Sequence, residues 1–175
     1  MGLGPQGRQE LNRIVSDTGP LLHLQEAGSL DILQTAGSTV VPPGVHAESV
    51  DHDPFWAEHW PHWIAVAALE PKFAAIASHW LQAGLLDPGE AEALSLAIQI
   101  KADWLLTDDA AARLIAEQQG LEVHGSLGVV LWAAASGHLQ RAEAERALEA
   151  LFSSSLWVSP RVREEALAAL RQLFA

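Results

Sequence analysis

The chain has 175 residues, the size of one ordinary domain. Hydrophobic residues make up 49% and charged residues 18%, with a mean hydropathy of +0.12, which excludes a disordered, collagen-like or low-complexity chain and predicts a well-buried globular one. There is no cysteine, so any metal must be held by oxygen or imidazole, and the formal charge of −12, from 22 acids against 10 bases, has the wrong sign for binding nucleic acid through a bulk field.

Residues 1–10 are rich in Gly, Pro and Gln and read as a disordered tail without the apolar stretch of a secretory signal. No apolar run reaches the roughly 18 to 20 residues of a membrane span, so a soluble, cytoplasmic protein is expected. Arg13-Ile14-Val15-Ser16 is a β-type run. Asp17-Thr18-Gly19-Pro20 then places a capping Asp with Pro just inside a helix start, followed by short helices over Leu21–Ala27 and Leu30–Thr35 that Gly28 and Gly37 close. Ser38–Val41 is a buried strand stopped by Pro42-Pro43, with a helix over Gly44–Val50. Asp51–Pro61, rich in Trp and His, reads as irregular, and Trp63–Ala67 as a third strand. Helices follow over Pro71–Ala83 and Glu90–Lys101, then a strand at Trp104–Thr107, a helix over Asp108–Gln119 and a strand at Leu121–His124. Leu127–Ser136, Gln140–Leu151 and Pro160–Phe174 are helical. Strands separated by helical connections predict βαβ units, a parallel sheet between two helical layers, and ligands at the carboxyl ends of its strands.

Acids follow those strands. Asp17 follows the first, Glu48 lies in the helix after the second, Asp108 and Asp109 follow the fourth, and Glu90 heads the helix leading into it. Carboxylates gathered at one sheet edge repel one another unless a cation neutralises them, which points to Mg²⁺ or Mn²⁺ and to phosphodiester hydrolysis by an activated water. Each acid also has a structural reading. Asp17 and Asp109 sit as helix N-caps, Asp87 and Glu90 form a capping box, and Glu48 alone is a solvated helix acid. Glu90 and Glu92 compete for one role. At about 100° per residue Glu90 shares the small apolar face of Ala93, Leu94 and Ala97, which favours Glu90 as the one aimed at the strand ends.

The segments Ile14–Leu21, Val40-Val41-Pro42 with Glu48, Gly89–Leu94, and Leu105–Asp109 with Arg113 resemble the PIN-domain superfamily, and most of all its VapC-like, uncharacterised branch related to toxin–antitoxin ribonucleases. The resemblance runs from Arg13 to His138 and, more weakly, through the C-terminal helices, which divides the chain into the tail, a catalytic domain over residues 11–138 and a helical extension over residues 139–175 packed on it. It implies an α/β/α sandwich around a mostly parallel sheet of four to five strands, and a Mg²⁺- or Mn²⁺-dependent endoribonuclease cleaving single-stranded RNA, the toxin partnered by a cognate antitoxin protein. Asp17, Glu48, Glu90 and Asp109 match the family's acids, with Asp108 a contender for the fourth place and Glu90 standing where Asp is usual. Thr18 and Thr107 would supply hydroxyls near metal or phosphate. Arg113, one turn beyond Asp109, would reach the substrate phosphate or else pair with Asp109 or Glu117. A catalytically inactive protein-binding scaffold and a metal-dependent phosphatase are the alternatives, the latter weakened because Asp17-Thr18-Gly19 lacks the second Asp of a phosphoaspartate mechanism.

His59 and His62 have metal-like spacing, but Pro61 between them argues against zinc. Trp56, Trp60 and Trp63 either stack on bases or, as interface tryptophans do, anchor a loop or a subunit contact. Leu127, Val130, Leu131 and Ala134 form an apolar stripe, core or dimer surface rather than a cofactor box, and the apolar helix that carries it, with the tryptophans, predicts a homodimer with that helix or the tryptophan loop at the contact. Leu156-Trp157-Val158 reads as strand-like or as a docking point.

Overall fold

The structure is a computed structural model and describes residues 12–175; the expected tail lies outside the described residues. Five strands run β1 Asn12–Ser16, β2 Gly37–Val41, β3 Ile64–Val66, β4 Trp104–Leu106 and β5 Glu122–His124. All pair in parallel, in the order β3-β2-β1-β4-β5. Burial on both faces explains the near-continuous apolar runs: Ile14, Val15, Leu105 and Leu106 are at most 1% exposed. Gly37 opens β2 where the chains approach so closely that a Cβ would collide with the carbonyl of Asn12.

Helices α1 Thr18–Glu26, α2 Ile32–Ala36, α3 Pro43–His52, α4 Phe55–His59, α5 Pro71–Gln82, α6 Pro88–Ile100 and α7 Ala110–Gln118 connect the strands, and α8 Ser126–Ala135, α9 Arg141–Phe152 and α10 Pro160–Leu173 follow β5. One layer centres on α6, which lies on β1 and β4 between α5 and α7, and in the other α1 and α2 pack with α8 and α9. The result is the expected α/β/α sandwich. From β1 the chain winds outward through β2 to β3, then crosses back to β4 on the far side of β1. The winding reverses between β1 and β4, and in open parallel sheets the crevice outside the carboxyl ends at such a point is where ligands bind.

Three expectations change. Asp51–Pro61 is not irregular throughout, since it contains α4, and Trp56 is core at 2% exposure, its ring 5.1 Å from that of Trp60. Trp60 in turn donates to the carbonyl oxygen of Ile64 at 2.9 Å, so these rings clamp α4 onto β3 and Trp56 cannot reach a base. Of the two readings of the apolar stripe on α8, the structure takes core over dimer surface: α9, α10 and α2 cover it within the chain, because helices α9 and α10 need an apolar partner of their own. Leu156-Trp157-Val158 forms no strand but lies in the loop between α9 and α10.

Candidate active site

Strand register brings the first two site residues together across 90 positions of sequence. Ser16 pairs with Leu106, and Asp17 N–H donates to the Leu106 carbonyl oxygen at 3.0 Å. The next residues, Asp17 and Thr107, therefore stand side by side, and the Thr107 hydroxyl donates to Asp17 Oδ2 at 2.5 Å. Asp17 Oδ1 caps α1 by accepting from Gly19 N–H at 2.7 Å. Asp17 is only 5% exposed, and burial pushes its carboxyl up to about 7 against the pull of those two donors, with the charges of Asp108 and Glu90 adding to the rise.

The other acids arrive on three further connections. Glu48 of α3 accepts from the Thr18 hydroxyl at 2.6 Å and lies against the backbone of Gly89, where any Cβ would collide with its carboxylate. Glu90 reaches back to Asp87 N–H at 2.9 Å in the capping box at the head of α6; burial raises its carboxyl, and Asp109, Asp87 and Glu48 add to the rise. Asp109 caps α7 through Oδ1, which accepts from Ala112 N–H at 2.8 Å. Capping and clustering thus coincide. Asp17, Thr18, Glu48, Glu90, Asp108 and Asp109 line one cavity of about 600 Å³ at the carboxyl ends of β1 and β4, together with His23, Asp87 and Ser155–Trp157.

Asp108 differs from its neighbours. Burial works against its charge, yet His23 Nδ1 at 2.7 Å, the Ser126 hydroxyl at 2.6 Å and Ser126 N–H at 2.7 Å hold it below the usual carboxylate range. Those bonds tie α1, β4 and α8 together. His23, Ser126 and Ser155 were not singled out from sequence, and Leu156 and Trp157 only as a strand or a docking point. Sequence separation is the main reason: His23 and Asp108 are 85 positions apart, and Glu26 and its hydrogen-bond partner Ser155 are 129 apart.

Two expected substrate contacts move. Thr107 is 1% exposed and spends its hydroxyl on Asp17, so it positions that carboxylate rather than meeting a substrate. Arg113 lines an adjoining cavity instead of the acidic one. Its guanidinium approaches only the carbonyl oxygens of Thr107 at 3.4 Å and Val123 at 3.5 Å, and among the described residues it forms no ion pair with Asp109 or Glu117. Glu92 points elsewhere, accepting from Gly44 N–H at 2.9 Å at the head of α3. Of the two, Glu90 lines the acidic cavity, and α6 is buried on nearly every side from Ala91 to Ala97 rather than on one face.

The donor set suits a hard divalent cation. Asp17, Glu48, Glu90 and Asp109 offer only oxygen, and the carboxyls of Asp17 and Glu90, raised by burial and further by neighbouring carboxylates, would be relieved by a cation. The side chains are not already closed around an ion: among the described residues no group of three or more His, Asp or Glu is arranged to hold one, since most are occupied as caps. His59 is likewise spent locally, stacked on Phe55 with ring centroids 4.0 Å apart.

The comparison with curated proteins returns no match. The family model described as a PIN domain matches residues 13–172, from β1 to the last turn of α10. Its fold is that of a nuclease family that typically uses divalent metals. On that match, and on the parallel sheet that reverses between β1 and β4, this chain belongs to the PIN-domain family.

Proposed function

We propose that the acidic cavity is the catalytic centre of a Mg²⁺- or Mn²⁺-dependent endoribonuclease that cleaves single-stranded RNA, as the toxin of a toxin–antitoxin pair. The observation that carries this reading is Asp17: a buried carboxyl near neutrality at the reversal point, with Glu48, Glu90 and Asp109 facing the same cavity from three other connections. Keeping a carboxylate there costs folding free energy that simple capping does not require. Asp17, Glu90 and Asp109 would hold the ion, with Glu48 beside them; this reading gives Asp108 a supporting place on the cavity wall, since Ser126 and His23 hydrogen-bond its oxygens. When bound, the ion supplies Lewis-acid activation of water and neutralises charge on the scissile phosphodiester. Asp17 would release its proton to the solvent if an ion were held there, and Thr107, which donates to Asp17 Oδ2, fixes the orientation of that carboxylate. Glu48, fixed by Thr18, accepts the proton of the attacking water.

A cognate antitoxin and a homodimer belong to the same reading, on the strength of the resemblance to toxin–antitoxin ribonucleases. With the α8 stripe covered, this reading puts the dimer contact at Phe55 of the Trp-rich segment and Val66 of the edge strand β3, which are 51% and 47% exposed. Among the described residues no helix is long and apolar enough to cross a membrane.

The test is direct. The purified chain should cut a single-stranded oligoribonucleotide in Mn²⁺ and stop on addition of chelator, and Asp17→Asn should be inert while folded. Cleavage that persists in chelator or in Asp17→Asn overturns the assignment. Light scattering across a hundredfold dilution checks the dimer, and a constant monomer mass removes it.

A further inference from the structure

We propose that Trp157 and Arg113 form a nucleotide subsite beside the acidic cavity, where the indole stacks on a base of single-stranded RNA and the guanidinium takes the adjoining phosphate. This rests on the ribonuclease reading and deepens it, since it assigns the acidic cleft a way to hold its polyanionic substrate.

The first observation is the indole. Trp157 is 84% exposed, far more than any other tryptophan of the described chain, and exposing so large an apolar ring is costly unless something covers it. Looseness does not explain the exposure, because the loop is tied at both ends. Ser155 N–H and hydroxyl donate to the Glu26 carboxylate at 2.7 to 2.9 Å, and Ser159 caps α10 by accepting from Val162 N–H at 3.2 Å. Leu156 packs inward against the core. The ring is therefore presented by a braced loop, which reduces the ordering cost of stacking a base on it.

The second observation is position. Trp157 and Leu156 line both the acidic cavity and an adjoining one of about 350 Å³, with Asp108 on the shared wall. On the far side of that wall stands Arg113, the one cation lining either cavity among the described residues, held only by two long bonds to carbonyl oxygens. In a chain of net charge −12 an arginine that forms no ion pair among the described residues, next to an indole and one wall away from a carboxylate cluster, matches alternating base and phosphate. An acidic peptide would satisfy Arg113 but then run into the carboxylates, whereas an RNA strand meets them through the cation they gather.

The test measures binding apart from cleavage. Fluorescence anisotropy with a labelled single-stranded decaribonucleotide in chelator at low salt should show Trp157→Ala weakening binding about tenfold, with Trp157→Phe within about threefold of wild type. Arg113→Gln should weaken binding and flatten its salt dependence. An abasic site scanned along the oligomer should, at one position, erase the difference between wild type and Trp157→Ala, which a merely structural role would not do. In Mn²⁺, Trp157→Ala should raise KM and leave kcat within about twofold. Equal RNA affinity of wild type and Trp157→Ala overturns the subsite whether or not RNA is cut; if that variant instead loses self-association, the surface belongs to a second copy. Failure of the wild type to bind RNA at all also overturns it. Trp157-dependent binding without cleavage in any metal upholds the subsite and removes the ribonuclease reading.

Discussion

Asp17 follows β1 by one residue and Asp108 follows the adjacent parallel β4 by two, both are largely buried, and burial drives both carboxyls upward. They end on opposite sides of the ordinary value. Asp17 receives one hydroxyl and one backbone N–H and rises to about 7, while Asp108 receives a hydroxyl, a backbone N–H and an imidazole and falls below the carboxylate range. The lesson is that burial raises a carboxylate where its donors do not offset it: Asp17 is the deeper of the two and has one donor fewer. One acid is left under-neutralised and poised for a cation, and the other is a strut between α1, β4 and α8.

The strongest way to break the contrast is Asp17→Asn. The variant should lose at least about a hundredfold in metal-dependent cleavage, because one ligand charge is gone. Stability should move the other way. The folded carboxyl is raised from 3.8 to about 7, so the folded state binds the proton more tightly and wild type loses stability as pH climbs between those values, by as much as about 4 kcal/mol. Asn escapes that loss, so urea unfolding at pH 8 should find the variant more stable and at pH 4 equal. A variant less stable at pH 8 would mean the carboxylate is above all a cap.

Asp108→Ala should act with the opposite sign, costing about 2 to 3 kcal/mol at pH 7 by stranding Ser126 N–H and its hydroxyl. Because the folded carboxyl is depressed, its stabilisation is present above 3.8 and fades as pH falls through the folded value. Unchanged urea midpoints would remove the strut. Thr107→Val sharpens the comparison by withdrawing one donor from Asp17: that carboxyl should rise further, calorimetric Mn²⁺ uptake at pH 7 should fall several-fold, and the deficit should close by pH 9, with Thr107→Ser restoring it. An identical pH profile for Val and Thr would contradict the positioning role. The smallest effect is expected of Glu92→Gln, which keeps an acceptor for Gly44 N–H and lies outside the cavity: cleavage within about twofold of wild type and stability within about 1 kcal/mol, against a loss of about tenfold or more in cleavage for Glu90→Gln.

Local signals carried much of the fold. Apolar runs with turn residues at their ends marked β1, β2, β4 and β5 to within a residue, and Asp or Pro at helix heads marked α1, α6 and α10. The Trp-rich stretch escaped because α4 is a helix of five residues with no periodic stripe, held by Trp56 and Trp60 packing rather than by propensity. His23 and Ser126 escaped because nothing near either residue in the chain distinguishes a ring that meets Asp108 from one in solvent.

What the sequence by itself determined was the class of fold and the acids that follow its strands, because alternation of strand and helix and the residue after each strand are local properties. Tertiary structure alone decided which of those acids is short of donors, that Thr107 serves Asp17 rather than substrate, that Arg113 opens on a neighbouring cavity, and that the loop after α9 brings Trp157 to the rim. Each of those outcomes depends on the order β2-β1-β4 and on where α8 to α10 fold back, and contacts between segments 85 or more residues apart leave no periodicity for a sequence to display.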